Sequence, residues 1–212
     1  RFCDRAILID QGKKLLDGSP DEVVQKYQAL MFQKERERIG SKDRVAVAED
    51  GEELPIVRTI PYIHNRYGEG GAEILGLIML GQDGEVLNEV RASQQFRLLI
   101  SCEFKRPTVS PIIGFTIRDK VGVEVTASNT SYEGAVLPKV EVGEQISVAF
   151  RFKVPDLRPD SYSISPAVAQ GNVWEHSIED WIDNAYIFTI RETGLVYGSM
   201  KLSVDVRFRT TR

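Results

Sequence analysis

Two stretches in the middle of the chain, and a third at its end, alternate between apolar and polar residues. Phe96, Leu98, Ile100, Cys102 and Phe104 fall on one side, against Arg97, Ser101 and Glu103. Ile146, Val148, Phe150, Phe152 and Val154 oppose Ser147, Arg151 and Lys153. Leu202, Val204, Val206 and Phe208 oppose Ser203, Asp205, Arg207 and Arg209. A period of two with one apolar face is the pattern of half-buried antiparallel strands, and it excludes a helical bundle for this region. Weaker runs lie at 73–80, 112–118, 122–128, 162–169 and 186–191, separated by turn signals such as Gln82-Asp83-Gly84 and Gly143-Glu144. Short strands at this spacing predict a mainly β fold, an antiparallel sandwich over residues 73–212.

The first 72 residues are organised differently. Ala6-Ile7-Leu8-Ile9-Asp10 and Lys14-Leu15-Leu16-Asp17 flank the turn Gln11-Gly12-Lys13, which predicts a hairpin. Ser19, Pro20 and Glu22 then form a capping box with proline at the first helical position. Val23, Val24, Tyr27, Leu30 and Met31 trace one helical face, and residues 1–39 are expected to form hairpin plus helix. Residues 40–72 hold the acidic run Glu49-Asp50-Gly51-Glu52-Glu53, Pro55, Pro61 and Gly68-Glu69-Gly70-Gly71. They read as a linker and lead-in segment, part of which (55–63) suits an extended edge.

Charge and composition remove several function classes. A net charge of −4 and a pI near 5.4 do not fit a nucleic-acid partner, which needs a basic stripe. No apolar run approaches the ~20 residues of a membrane span, and no secretory signal is visible. The start at Arg1 fits a piece of a longer protein. Cys3 and Cys102 are too few for a disulfide framework or a zinc site and are expected to be reduced thiols. The phosphate-cradling pattern GxxxxGK[ST] fails because Ile7 stands where its first glycine belongs before Gly12-Lys13. Gly68-Glu69-Gly70-Gly71 is expected to be a plain loop, and Asn129-Thr130-Ser131 a turn. His176, Glu179, Asp180 and Asp183 gather one imidazole and three carboxylates; a polar loop is the expectation there, with a metal or glycosidase site as the alternatives.

One outward face carries the interest. If Ile113, Phe115 and Ile117 point inward, Thr116 and Arg118 point out. If Val123 and Val125 point inward, Glu124, Thr126 and Ser128 point out; if Tyr162, Ile164 and Val168 do, Ser163, Ser165, Ala167 and Ala169 point out. Small side chains in mid-sheet leave a dent, and hydroxyls both donate and accept. At its end lies Gln170-Gly171-Asn172-Val173-Trp174-Glu175-His176. There Trp174 is either a platform for a sugar ring, with Gln170, Asn172 and His176 reading its hydroxyls, or a plug over the sandwich end. Trp181, beside Ile178, Ile182 and Tyr186, is expected in the core.

Residues from Cys3-Asp4-Arg5 through Asp17-Gly18-Ser19-Pro20-Asp21-Glu22-Val23-Val24 to Tyr27 resemble the end of an ABC-transporter nucleotide-binding domain. The remainder resembles the C-terminal domain of the Wzt family, ATP-binding subunits of O-antigen polysaccharide exporters. The residues that carry this are Gly68-Glu69-Gly70-Gly71-Ala72-Glu73-Ile74, Asp83-Gly84, Gly114-Phe115-Thr116-Ile117-Arg118-Asp119, Val154-Pro155-Asp156-Leu157-Arg158-Pro159-Asp160-Ser161-Tyr162 and Asp183-Asn184-Ala185-Tyr186-Ile187-Phe188. The Pro159-Asp160-Ser161 turn departs from the family's Pro-Gly. The resemblance implies an immunoglobulin-like sandwich that binds the finished O-antigen polysaccharide, at its non-reducing end, on the cytoplasmic face of the bacterial inner membrane. It implies no cofactor and no ATPase activity in this chain, since ATP and Mg belong to the parent's Walker motifs. It further implies a homodimer with exchange of the terminal strand 202–208 and contact with the exporter's transmembrane subunit through the parent ATPase. Two alternatives stand beside it: a dimerisation module that binds no glycan, and a glycan-active enzyme using Glu175, Glu179 or Asp180.

Overall fold

A computed structural model describes residues 3–20, 22, 23, 26, 27, 30, 54–172, 174–191, 195–201, 207 and 209. The chain divides into two compact units, Arg1–Arg44 and Val45–Arg212. In the first, β1 (Ala6–Asp10) and β2 (Lys13–Gly18) form the expected antiparallel hairpin. The capping box closes as its residues dictate. The Glu22 amide donates to Ser19 Oγ at 3.4 Å, and the Ser19 amide donates to Glu22 Oε2 at 3.1 Å. Pro20, Glu22, Val23, Lys26, Tyr27 and Leu30 are helical. The expected solvated turn at 34–38 and its stop at Gly40 lie outside the described residues.

The second unit is a β-sandwich. One sheet has three strands, β4 (Ala72–Leu80), β6 (Gln95–Phe104) and β9 (Gln145–Lys153), in the order β4-β6-β9. The other is built around β10 (Asp160–Gly171). Along one edge β10 pairs with β7 (Pro111–Asp119), which in turn pairs with β8 (Glu124–Asn129). Along its other edge β10 pairs first with β12 (Tyr186–Arg191) and then with β11 (His176–Asp183). Two three-residue strands finish the sheet, β3 (Asn65–Tyr67) beside β11 and β5 (Glu89–Arg91) parallel to β12. The strand at His176–Asp183 corrects the expected polar loop.

Pro166 stands where β10 changes neighbour, between Ile164, the last residue opposite β12, and Ala167, the first opposite β11. A proline in a central strand withholds a ladder donor, so it is tolerated where the ladder is interrupted. The Asn184 amide turns in at that break and donates to Ser165 Oγ at 2.9 Å.

The alternating apolar residues meet between the sheets. Phe115 stacks on Phe152 at 5.5 Å between ring centroids and meets Phe150 edge-on at 5.0 Å. Phe96, Leu98, Ile100, Cys102 and Phe104 are all buried. Tyr162 donates its hydroxyl proton to the Arg158 carbonyl at 2.7 Å, a link of the tyrosine-corner kind that ties the chain before β10 to its first turn inward.

The opposite face of the three-stranded sheet is covered as well. Residues 54–60 run across it, with the Val57 amide donating to Ser101 Oγ at 2.8 Å and the Leu77 amide to the Thr59 carbonyl at 3.0 Å. Gly76 permits this approach, since a β-carbon there would sit 2.7 Å from the Val57 carbonyl oxygen. Ser101 and Arg97, which alternation alone would leave in solvent, are therefore buried.

Candidate functional site

The register of the larger sheet aligns five residues across five strands. Tyr67 lies opposite Trp181, Trp181 opposite Ala167, Ala167 opposite Gly114, and Gly114 opposite Asn129. Residues directly opposite in a ladder project from the same face. Their chain neighbours Ile182, Val168, Ile113 and Phe115 belong to the core, so this row faces away from it. At ~4.8 Å per strand the row spans about 19 Å.

The middle of the row lacks side-chain bulk. Gly114 and Ala167 occupy it, and Ala169 and Ala127 extend the shortfall on either side. The result is an open depression of about 130 Å3, bordered by Thr116, Asn129, Asn172, His176, Ile178 and Trp181. Gly114 is required there for a second reason: a β-carbon would stand 2.6 Å from Asn129 Cβ and 2.7 Å from the Ser128 carbonyl oxygen.

An aromatic wall closes one side. Trp181 is half-buried, and its Nε1 donates to Asp183 Oδ1 at 2.7 Å. The Tyr67 ring stacks on it, centroids 6.1 Å apart and planes 21° from parallel. The Arg118 guanidinium lies over the indole as well, 5.6 Å from its centroid. Arg118 Nη1 donates to Ser165 Oγ at 3.0 Å and to Asp183 Oδ1 at 3.4 Å, while Nη2 donates to Glu124 Oε1 at 2.9 Å. One guanidinium between two carboxylates leaves this wall without excess positive charge, which suits a neutral ligand better than a phosphate. Burial, with the nearby Asp183 carboxylate, raises the Tyr67 phenol above its ordinary pKa, so it remains a proton donor.

The expected site residues separate into groups. Thr116, Ser128, Asn172 and His176 border the depression. The Asn172 carboxamide oxygen is engaged by the Trp174 amide at 2.9 Å and the Glu175 amide at 3.0 Å, and His176 Nδ1 lies 3.2 Å from the Asn172 carbonyl oxygen. Ser165 is fully buried behind Arg118, and Ser163 Oγ donates to Asn184 Oδ1 at 2.7 Å, so both hydroxyls serve the fold. Thr126 lies opposite Ile117, on the other face from Thr116; Ser128, opposite Phe115, still touches the depression, and its hydroxyl donates to Glu133. A bulge between Ile117 and Arg118 shifts the phase of β8 after Glu124; Val123, just before the strand, is exposed instead of inward. Gln170, between Ala169 and Gly171 in β10, likewise points away from the row's face.

The tryptophans exchange roles. Trp174 is 94% exposed, which overturns the plug reading, and it does not border the depression. Trp181 borders it, against the core expectation. The bulge at Glu179 explains the error: Val168 faces Asp180 but Ala169 faces Ile178, so Ile178 and Trp181 share the outward face although three residues apart. Fully buried Ile182 next in the chain was the available signal, because its neighbour in a strand must point the other way.

The carboxylates of β11 are committed to structure. Arg66 forks onto Asp180 at 2.9 and 2.6 Å, and the Ile74 amide donates to the same carboxylate at 2.6 Å. Arg106 reaches Glu179 at 2.5 Å, and the Gly71 amide donates to Glu179 Oε2 at 3.0 Å. The Glu69 and Gly70 amides donate to the Ile178 and Glu179 carbonyls, so the glycine-rich loop is pinned to the bulge. Among the described residues no three His, Cys, Asp or Glu side chains gather as a metal site.

These features define a binding domain: a sandwich with an open, side-chain-poor face beside an aromatic wall, and carboxylates locked in ion pairs. The chain belongs to the Wzt C-terminal domain family, which residues 63–202 match. That family is a binding domain of ABC-type polysaccharide exporters, distinct from their ATPase domain. The crystal structure of the C-terminal domain of Wzt superposes with a TM-score of 0.62 at 20% identity, covering 68% of this chain and 88% of that one, a likeness of fold. A Niemann-Pick type C2 protein from Japanese carpenter ant gives a TM-score of 0.44 at 9% identity, covering 61% of this chain and 100% of that one. A comparison with curated protein sequences found no match.

Proposed function

We propose that this domain holds an O-antigen polysaccharide for its ABC exporter, at the cytoplasmic face of the inner membrane, and does no chemistry on it. The terminal ring of the chain lies in the depression over Gly114 and Ala167, against Trp181. The observation that carries this is the pairing of a floor without side chains and an indole wall backed by Tyr67 and Arg118. Aromatic carbon covers the C–H surface of a sugar while Thr116, Asn129 and His176 face its hydroxyls. ATP and Mg are assigned to the parent's ATPase domain, which contacts the transmembrane subunit.

The same reading takes the domain as a homodimer exchanging residues 202–208, of which 202–206 and 208 lie outside the described residues. The chain just before them pairs with its own domain. The Lys201 amide donates to the Asp156 carbonyl at 2.8 Å and the Arg158 amide to the Ser199 carbonyl at 3.0 Å, so the approach is already strand-like.

Calorimetric titration with purified O-polysaccharides of several serotypes tests the reading. One of them binds the intact domain, and Trp181→Ala weakens that binding at least about tenfold, as truncation of an interface anchor does. A folded domain that binds none of the panel overturns it.

A further inference from the structure

We infer that the face carries a second saccharide subsite on its loop rim, formed by Trp174 and Tyr132, so that the domain grips at least two consecutive rings. This rests on the glycan reading above. Trp174 is 94% exposed and Tyr132 72% exposed. Tryptophan and tyrosine join an apolar ring face to a polar tip, which makes them favoured contact residues beside a recognition face.

Both rings are tied to the depression through its own lining. The Tyr132 amide donates to Asn129 Oδ1 at 2.7 Å, and the Trp174 amide donates to Asn172 Oδ1 at 2.9 Å. Asn129 and Asn172 themselves border the depression. Each asparagine therefore lines the dent with its own residue and fixes the backbone that presents an aromatic just beyond it.

The two loops leave the same end of the sheet. β8 and β10 both pair antiparallel to β7, so they run in the same direction and both end at the rim. With one strand between them, the loops are separated by roughly 10 Å. A saccharide chain leaving the dent in this direction passes between two exposed rings. The other direction is closed by the row of Glu124, Arg118 and Ser163, whose polar groups are paired with one another and with Ser165, Asp183 and Asn184. The occupant is a neutral polyhydroxyl chain continuous with the one in the dent. Glu175, beside Trp174, argues against an anionic lipid surface.

Oligosaccharides of one to six rings, cut from the bound polymer, provide the test. For the intact domain, affinity rises about tenfold from the single ring to the first oligomer that reaches the rim, then levels off. Trp174→Ala with Tyr132→Ala flattens that rise and preserves single-ring affinity, and the melting temperature stays unchanged because both side chains are exposed. A length dependence that survives the double substitution, or an intact domain without one, overturns the rim subsite while leaving the dent in place. If Trp181→Ala binds every oligomer as the intact domain does, the dent itself is wrong and the rim subsite falls with it.

Discussion

Arg118 and Trp181, on different strands, share one stack: the guanidinium carbon is 5.6 Å from the indole centroid and the same Arg118 is held by Ser165, Asp183 and Glu124. Lysine cannot reproduce a planar fork that stacks and donates at once. Arg118→Lys is therefore expected to weaken glycan binding about tenfold while costing about 1 kcal/mol of stability. Titration alongside thermal melting checks both figures; unchanged affinity removes Arg118 from the site.

Gly114→Ala places a methyl 2.6 Å from Asn129 Cβ and 2.7 Å from the Ser128 carbonyl oxygen. β8 has to move off β7. Overpacking of this kind costs about 2 kcal/mol. Amide exchange is expected to accelerate in residues 124–129 before the rest of the sandwich is affected.

Glu179 is buried, whereas its partner Arg106 is partly exposed. Glu179→Ala leaves the Gly71 amide without its acceptor, and a loss of about 2 kcal/mol is expected. No glycan-cleaving activity is expected in either form. Product analysis by mass spectrometry checks this; turnover that vanishes with Glu179 restores the enzyme alternative.

Burial pushes the Cys102 thiol up to about 12, and Tyr162 likewise to about 12. A raised folded pKa stabilises the protein fully below the unfolded value, near 9 for a thiol, and the contribution disappears as pH climbs through 12. Stability is thus expected to fall between pH 9 and 12. Cys3 is exposed and Cys102 buried, so a thiol reagent at pH 8 labels Cys3 alone until denaturant is added. Rapid native labelling of both sulfurs contradicts this burial.

What the residues alone disclosed follows the range of the interactions involved. The capping box of Ser19 and Glu22 closes within one turn, and the strand around Phe96 to Phe104 repeats without interruption, so both are readable. The strand His176–Asp183 is not, because Glu179 and Asp180 break its period and are stabilised by Arg106 and Arg66, distant in the chain. Thr126 and Trp181 depart from the expected faces for the same reason: each follows a bulge, and one extra residue reverses the side chains after it. Small residues in β7 and β10 revealed that a hollow exists; which indole borders it depended on a register shift invisible to alternation.

A hollow whose floor is an alanine is tuned by one or two heavy atoms at a time. At Ala167 a hydroxymethyl or an isopropyl group alters the contour of the floor while the flanking Val168 and Pro166 keep the strand in place. On the glycan reading proposed above, ligand preference drifts through such single exchanges, on a scaffold whose ion pairs and aromatic core remain untouched.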